Sequence, residues 1–81
     1  MLKINERIKK LRTDNKLTQK RMAEILSVRE VTFQRFEYGT VRPSLDTLLV
    51  LADYFNVTLD YLVGRSDDGT PPNYGSKNNV E

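Results

Sequence analysis

The sequence predicts an all-α domain, a compact five-helix bundle that ends in a polar tail. Three observations carry this. Apolar residues recur at three- and four-residue spacing in successive stretches, and none alternates as a strand would. Thr18, Ser44 and Thr58 each stand just ahead of such a stretch, where a hydroxyl can cap a helix. Gly39, Asn56 and Gly64 stand just behind one, where a residue tolerant of left-handed backbone ends a helix.

In chain order, Ile4, Ile8 and Leu11 place a first helix over about residues 5–14. Thr18 caps a second, whose inward stripe is Met22, Ala23 and Leu26. Ser27 and Val28 form a tight turn, and a third helix runs over residues 30–38 until Gly39 stops it. Pro43-Ser44 starts a fourth, with Leu45, Leu48, Leu49, Ala52 and Phe55 expected inward and Asn56 at its end. Thr58 caps a fifth, short helix that runs through Val63 to Gly64. The stretch RSDDGTPPNYGSKNNVE is rich in Gly, Pro, Ser, Asn and Asp, with Tyr74 and Val80 as its only apolar residues. It has little to bury and reads as a flexible tail. The expected division is a folded domain over residues 1–65 and a tail over 66–81. The tail is either a linker toward a further domain or the end of the chain.

Helices two and three, joined by so short a turn, have the form of a helix-turn-helix, whose second helix can enter the major groove of DNA. On a helical wheel with Glu30 at 0°, Gln34, Tyr38, Val31 and Arg35 fall at roughly 40°, 80°, 100° and 140°. Thr32, Phe36 and Phe33 fall at roughly 200°, 240° and 300° on the same wheel. An acid, an amide and a guanidinium thus share one face, and two phenylalanines share another. An ordinary amphipathic helix would show the same division. This polar face, however, is short of long Lys and Glu side chains and follows a turn of suitable length.

Composition narrows the function. Eighty-one residues allow one domain with a small core. There is no cysteine, so no disulfide or thiolate metal site, and a reducing compartment such as the cytoplasm is expected. No apolar run approaches the roughly 20 residues that span a bilayer, and the N-terminus lacks a signal-peptide core. Asn56-Val57-Thr58 fits a glycosylation sequon but reads as helix punctuation. Without histidine, the commonest acid-base and metal-binding side chain is missing. Asp67-Asp68 lies in the expected tail, and no glycine-rich phosphate loop precedes a helix. An enzyme, a cofactor and a metal are therefore not expected.

The net charge is only +2, but it is unevenly placed. Residues 1–42 hold eleven Lys or Arg against five acids, and residues 43–81 hold two against six. The positive half contains the helix-turn-helix, as contact with phosphates requires.

The segment resembles the helix-turn-helix of the Xre/Cro family, which includes the repressor and Cro proteins of lambdoid phages. The residues that carry the likeness are Leu17-Thr18-Gln19, Ala23, Leu26, Val28, Glu37 and Gly39, with Phe33 and Phe36 at the two buried positions of the recognition helix. The likeness continues through Arg42-Pro43-Ser44-Leu45, Leu48, Leu51-Ala52, Val57-Thr58-Leu59-Asp60-Tyr61-Leu62 and Gly64, covering about residues 4–65. Two positions depart from the family. Ser27 stands where Gly is usual, and left-handed backbone there would cost Ser on the order of 1 kcal/mol. Arg29 stands where a Ser or Thr cap is usual, leaving Glu30 to favour the positive helix end.

The resemblance implies a lambda-repressor-like bundle and a regulator, most simply a repressor, that binds double-stranded DNA at a palindromic operator as a homodimer. It places Glu30, Val31, Gln34 and Arg35 toward base edges. Arg35 suits guanine, Gln34 adenine, Val31 a thymine methyl and Glu30 a cytosine amino group. Glu30 serves equally as a charge at the helix N-terminus. Gln19, Lys20, Arg29, Arg42 and the Tyr38 hydroxyl are the expected phosphate contacts. The resemblance also implies a shielded salt bridge between Arg12 and Glu37, and Glu37 falls near 340°, beside the Phe33 and Phe36 face. Pairing through the last helix makes Tyr61 and Val63 the dimer candidates. An antitoxin, a restriction-modification controller and the N-terminal part of a larger repressor share the fold, and a small molecule or protein could act as effector. A protein-interaction module that keeps the helices without binding DNA is the reading outside this class.

Overall fold

The computed structural model describes residues 3–71. They form α1 (Ile4–Asp14), α2 (Gln19–Leu26), α3 (Glu30–Tyr38), α4 (Leu45–Phe55) and α5 (Leu59–Leu62), with no strand among the described residues. Each hydroxyl cap bonds a backbone N–H of its helix's first turn. Thr18 accepts from Arg21 at 3.0 Å, Ser44 from Thr47 at 3.2 Å and Thr58 from Tyr61 at 3.1 Å. At the start of α1, the Glu6 carboxylate accepts the Lys3 N–H at 2.8 Å. These bonds satisfy donors that have no partner inside their own helix.

The core is built from every helix. Ile8, Met22, Phe33, Leu51 and Leu62 are fully buried, and Leu11, Ala23, Phe36 and Ala52 pack around them. Phe33 and Phe36 meet edge to face, with ring centroids 6.3 Å apart. This pair fixes α3 against the bundle on the side away from its polar face.

The phase of α4 differs from the expected one. Leu51 and Ala52 are buried and Leu48 and Phe55 partly so, whereas Leu45 is 63% and Leu49 42% exposed. The run Leu48-Leu49-Val50-Leu51 is apolar at every position, so spacing alone does not choose which residues face inward. Packing against the other helices makes the choice and leaves Leu45, Leu49, Val50 and Tyr54 at the surface.

Ser27 has φ +57° and ψ +41°, left-handed backbone for a residue that carries a Cβ. Its N–H bonds the Glu24 carbonyl at 3.1 Å, and the Val28 N–H bonds that of Ala23 at 3.0 Å, so the turn closes despite the strain. Ser27→Gly is expected to raise stability by about 0.5–1 kcal/mol, the strain relieved less the greater freedom glycine has when unfolded. Urea denaturation of both proteins checks it, and a loss of stability would contradict it. Arg29 makes no side-chain cap bond at the start of α3.

Residues 66–71 of the expected tail carry specific contacts to α1 and α5. Asp67 meets Arg7 at 3.1 Å, and the Gly69 carbonyl accepts the Thr58 N–H at 3.2 Å. The remainder of that segment, with Tyr74 and Val80, lies outside the described residues.

Candidate nucleic-acid interface

Burying Phe33 and Phe36 turns the opposite side of α3 outward. Glu30, Arg35 and Tyr38 are exposed, Val31 is 40% exposed and Gln34 is half-buried. One face therefore presents a carboxylate, an apolar branch, an amide and a guanidinium, which together offer donors, acceptors and a methyl-binding surface to base edges.

The N-terminus of α2 lies beside the start of α3. A shallow depression of about 550 Å³ between them is lined by Lys9, Arg12, Thr18, Gln19, Lys20, Glu30, Glu37 and Tyr38. The structure thus gathers Gln19, Lys20, Glu30 and Tyr38 around one concavity. Lys9 joins them unanticipated. Its only sequence signal is its place three residues before Arg12, on the same side of α1. Arg42 borders a second depression of about 670 Å³, which also touches Tyr38 and includes Phe36, Val41, Leu48 and Val63. Arg29 is exposed at the turn before α3.

Arg12 and Glu37 tie this surface together from beneath. Arg12 donates through Nε to Glu37 Oε2 at 2.6 Å, through Nη2 to Oε1 at 3.2 Å and through Nη1 to the Leu17 carbonyl at 2.8 Å. The Arg12 side chain is 13% exposed and that of Glu37 only 2%. A bidentate pair of this kind fixes both distance and orientation. It anchors α3 to α1 and to the loop before α2, and it neutralises an acid that phosphates would otherwise repel.

Gln19 belongs to the same network, since its Nε2 donates to Glu37 Oε1 at 3.0 Å. Part of its amide is thereby committed inward. An anion at this end of α2 would therefore meet chiefly the backbone N–H groups of the first turn, where the helix end is positive. Asn5, a second unanticipated member, donates to the Glu37 carbonyl at 3.4 Å near the end of α3.

Of the two dimer candidates, Tyr61 is half-buried against Arg7, whose guanidinium carbon lies 3.9 Å from its ring centroid. Val63 is 39% exposed and lines the larger depression.

A family model described as helix-turn-helix matches residues 8–62, which is most of the chain. The chain belongs to the Xre/Cro helix-turn-helix family. Among its Xre/Cro relatives is the uncharacterized HTH-type transcriptional regulator YobD of Bacillus subtilis strain 168, 33% identical over 66 residues, or 82% of this chain and 59% of that protein. The cryptic phage CTXphi transcriptional repressor RstR of Vibrio cholerae serotype O1 is 30% identical, over 79% of this chain and 57% of its own length. This chain thus spans little more than half of either relative. Among solved structures, the P22 c2 repressor in complex with a synthetic operator superposes with a TM-score of 0.74 at 24% identity. That superposition covers 82% of this chain and all of the P22 chain, and it shows a shared fold. No helix among the described residues is long and apolar enough to cross a membrane.

Proposed function

We propose that this helix-turn-helix domain is a transcriptional repressor acting in the cytoplasm, which binds a palindromic DNA operator as a homodimer. The observation that carries the reading is the outward face of α3, with Glu30, Val31, Gln34 and Arg35 beside a rim of cations and the α2 N-terminus. Lys9, Lys20, Arg29 and Arg42 hold phosphates on either side of the recognition helix, with Tyr38 between the two depressions. Arg35 and Gln34 select purines and Val31 a thymine methyl. Glu30 accepts from a cytosine amino group where Lys9 and Lys20 offset its charge. Repression, rather than activation, follows the reading that RstR offers by its name.

One domain of this size contacts few base pairs, so pairing supplies the missing specificity. The second copy docks on the apolar ground that runs from Val41 to Val63 and meets the DNA face at Tyr38 and Arg42. Val63→Asp is expected to shift the sedimentation equilibrium toward monomer and leave the helical circular dichroism unchanged. An unchanged dimer would place the contact elsewhere.

Titration of mixed duplex DNA at increasing salt tests the DNA-binding reading itself. The logarithm of affinity is expected to fall linearly with the logarithm of salt concentration, by about 0.9 per phosphate contacted. Binding no better than that of an unrelated protein at moderate salt would favour a protein-interaction module.

A further inference from the structure

Arg7 is a charged residue inside the protein, away from the candidate DNA interface. It is 4% exposed, and its Nε has no hydrogen-bond partner among the described residues. Two groups stabilise its charge. Its Nη2 lies 3.1 Å from Asp67 Oδ1, and its guanidinium carbon lies 3.9 Å from the centroid of the Tyr61 ring. A buried cation depends strongly on such partners, because their removal leaves a charge without compensation. Yet Asp67 is 71% exposed and stands sixty positions further along the chain.

The segment that carries Asp67 is fastened to both ends of α5. The Gly64 N–H bonds the Tyr61 carbonyl at 3.2 Å, and those of Arg65 and Ser66 bond the Asp60 carbonyl at 2.8 and 3.2 Å. Three residues after Ser66, the Gly69 carbonyl accepts the N–H of Thr58, the residue that caps α5. Gly69 passes so close to Tyr61 that a Cβ added there would lie 2.9 Å from the ring Cγ. Only glycine lets the backbone rest on that ring without displacing it. Ser66 and Asp68 bond one another, and Asp68 accepts the Thr70 N–H at 3.0 Å, which shapes the segment internally.

Helix α5 has four residues, too few to hold a helix by its own hydrogen bonds. Its position is set by the buried Leu62 on one side and by this segment on the other. We propose that residues 64–70 form a clasp, closed on Arg7 and Tyr61, that sets the position of α5 and of its exposed Val63 edge. Closed, the clasp holds α5 on α1. Opened, it leaves Arg7 without its carboxylate and frees α5 to shift. The consequence for pairing rests on the homodimer reading above; the clasp itself does not.

Residue-resolved hydrogen exchange of the full chain, without DNA, tests the clasp whether or not the protein dimerises or binds an operator. Asp67→Asn removes the carboxylate charge, and Gly69→Ala places a methyl against Tyr61. In both variants the amides of Thr58, Leu62 and Val63 are expected to exchange about tenfold faster or more, together, while those of Phe33 and Phe36 keep their parent rates. In an Arg7→Met background, Asp67→Asn should add nothing further. Acceleration at Thr58 alone, no acceleration, or a uniform acceleration across all five helices would overturn the coupling. A full additional effect of Asp67→Asn in the Arg7→Met background would overturn the role of the buried charge.

Discussion

Glu37→Ala is expected to cost the domain about 3–5 kcal/mol, because it leaves the Arg12 guanidinium enclosed without its carboxylate. The pair is bidentate, and the Glu37 side chain is almost wholly buried. A domain of this size has roughly 5–15 kcal/mol in total, so the variant stands at the edge of folding. Arg12→Ala should cost a comparable amount, since it strands Glu37 with only the Gln19 amide for company. The double variant should lose less than the sum of the two, as residues that share one network do not add. Chemical denaturation of the three variants checks this. Losses below about 1 kcal/mol in both single variants would make the pair equivalent to a solvated surface bridge.

Arg35→Ala is expected to weaken binding to the best operator by about 1–3 kcal/mol and to relax preference at one base pair. Arg35 is exposed on the outward face of α3, in the last turn of the helix. Lys20→Ala, at the rim of the adjacent depression, should instead weaken all sequences alike and lower the salt slope by about one. Competition titrations with single-base operator variants distinguish the two patterns. Uniform weakening by Arg35→Ala would reassign that residue to phosphate.

Features set by neighbours in the chain were legible in the sequence. Thr18, Ser44 and Thr58 cap their helices through bonds that span three residues, and Gly39 and Asn56 end theirs by their own backbone conformation. The separation of Phe33 and Phe36 from Glu30, Val31 and Arg35 follows from helical periodicity alone. What depends on distant partners was not legible. The continuous run Leu48-Leu49-Val50-Leu51 has no unique inward phase until the rest of the core is in place. Nothing local marks Gln19 for Glu37, or Lys9 as a neighbour of Lys20 and Glu30. Polar composition gave residues 66–71 the character of a tail, because they dock through one buried arginine and one tyrosine ring rather than through apolar side chains of their own.

Selection of bound sites from random duplex DNA tests most directly the claim that the outward face of α3 reads sequence in a paired domain. The expected result is an inverted repeat whose half-site centres lie about 34–36 Å apart, one helical turn. Each half-site should carry a guanine whose preference disappears in Arg35→Ala. Recovery of no common motif, or of a motif unchanged in Arg35→Ala, would contradict it.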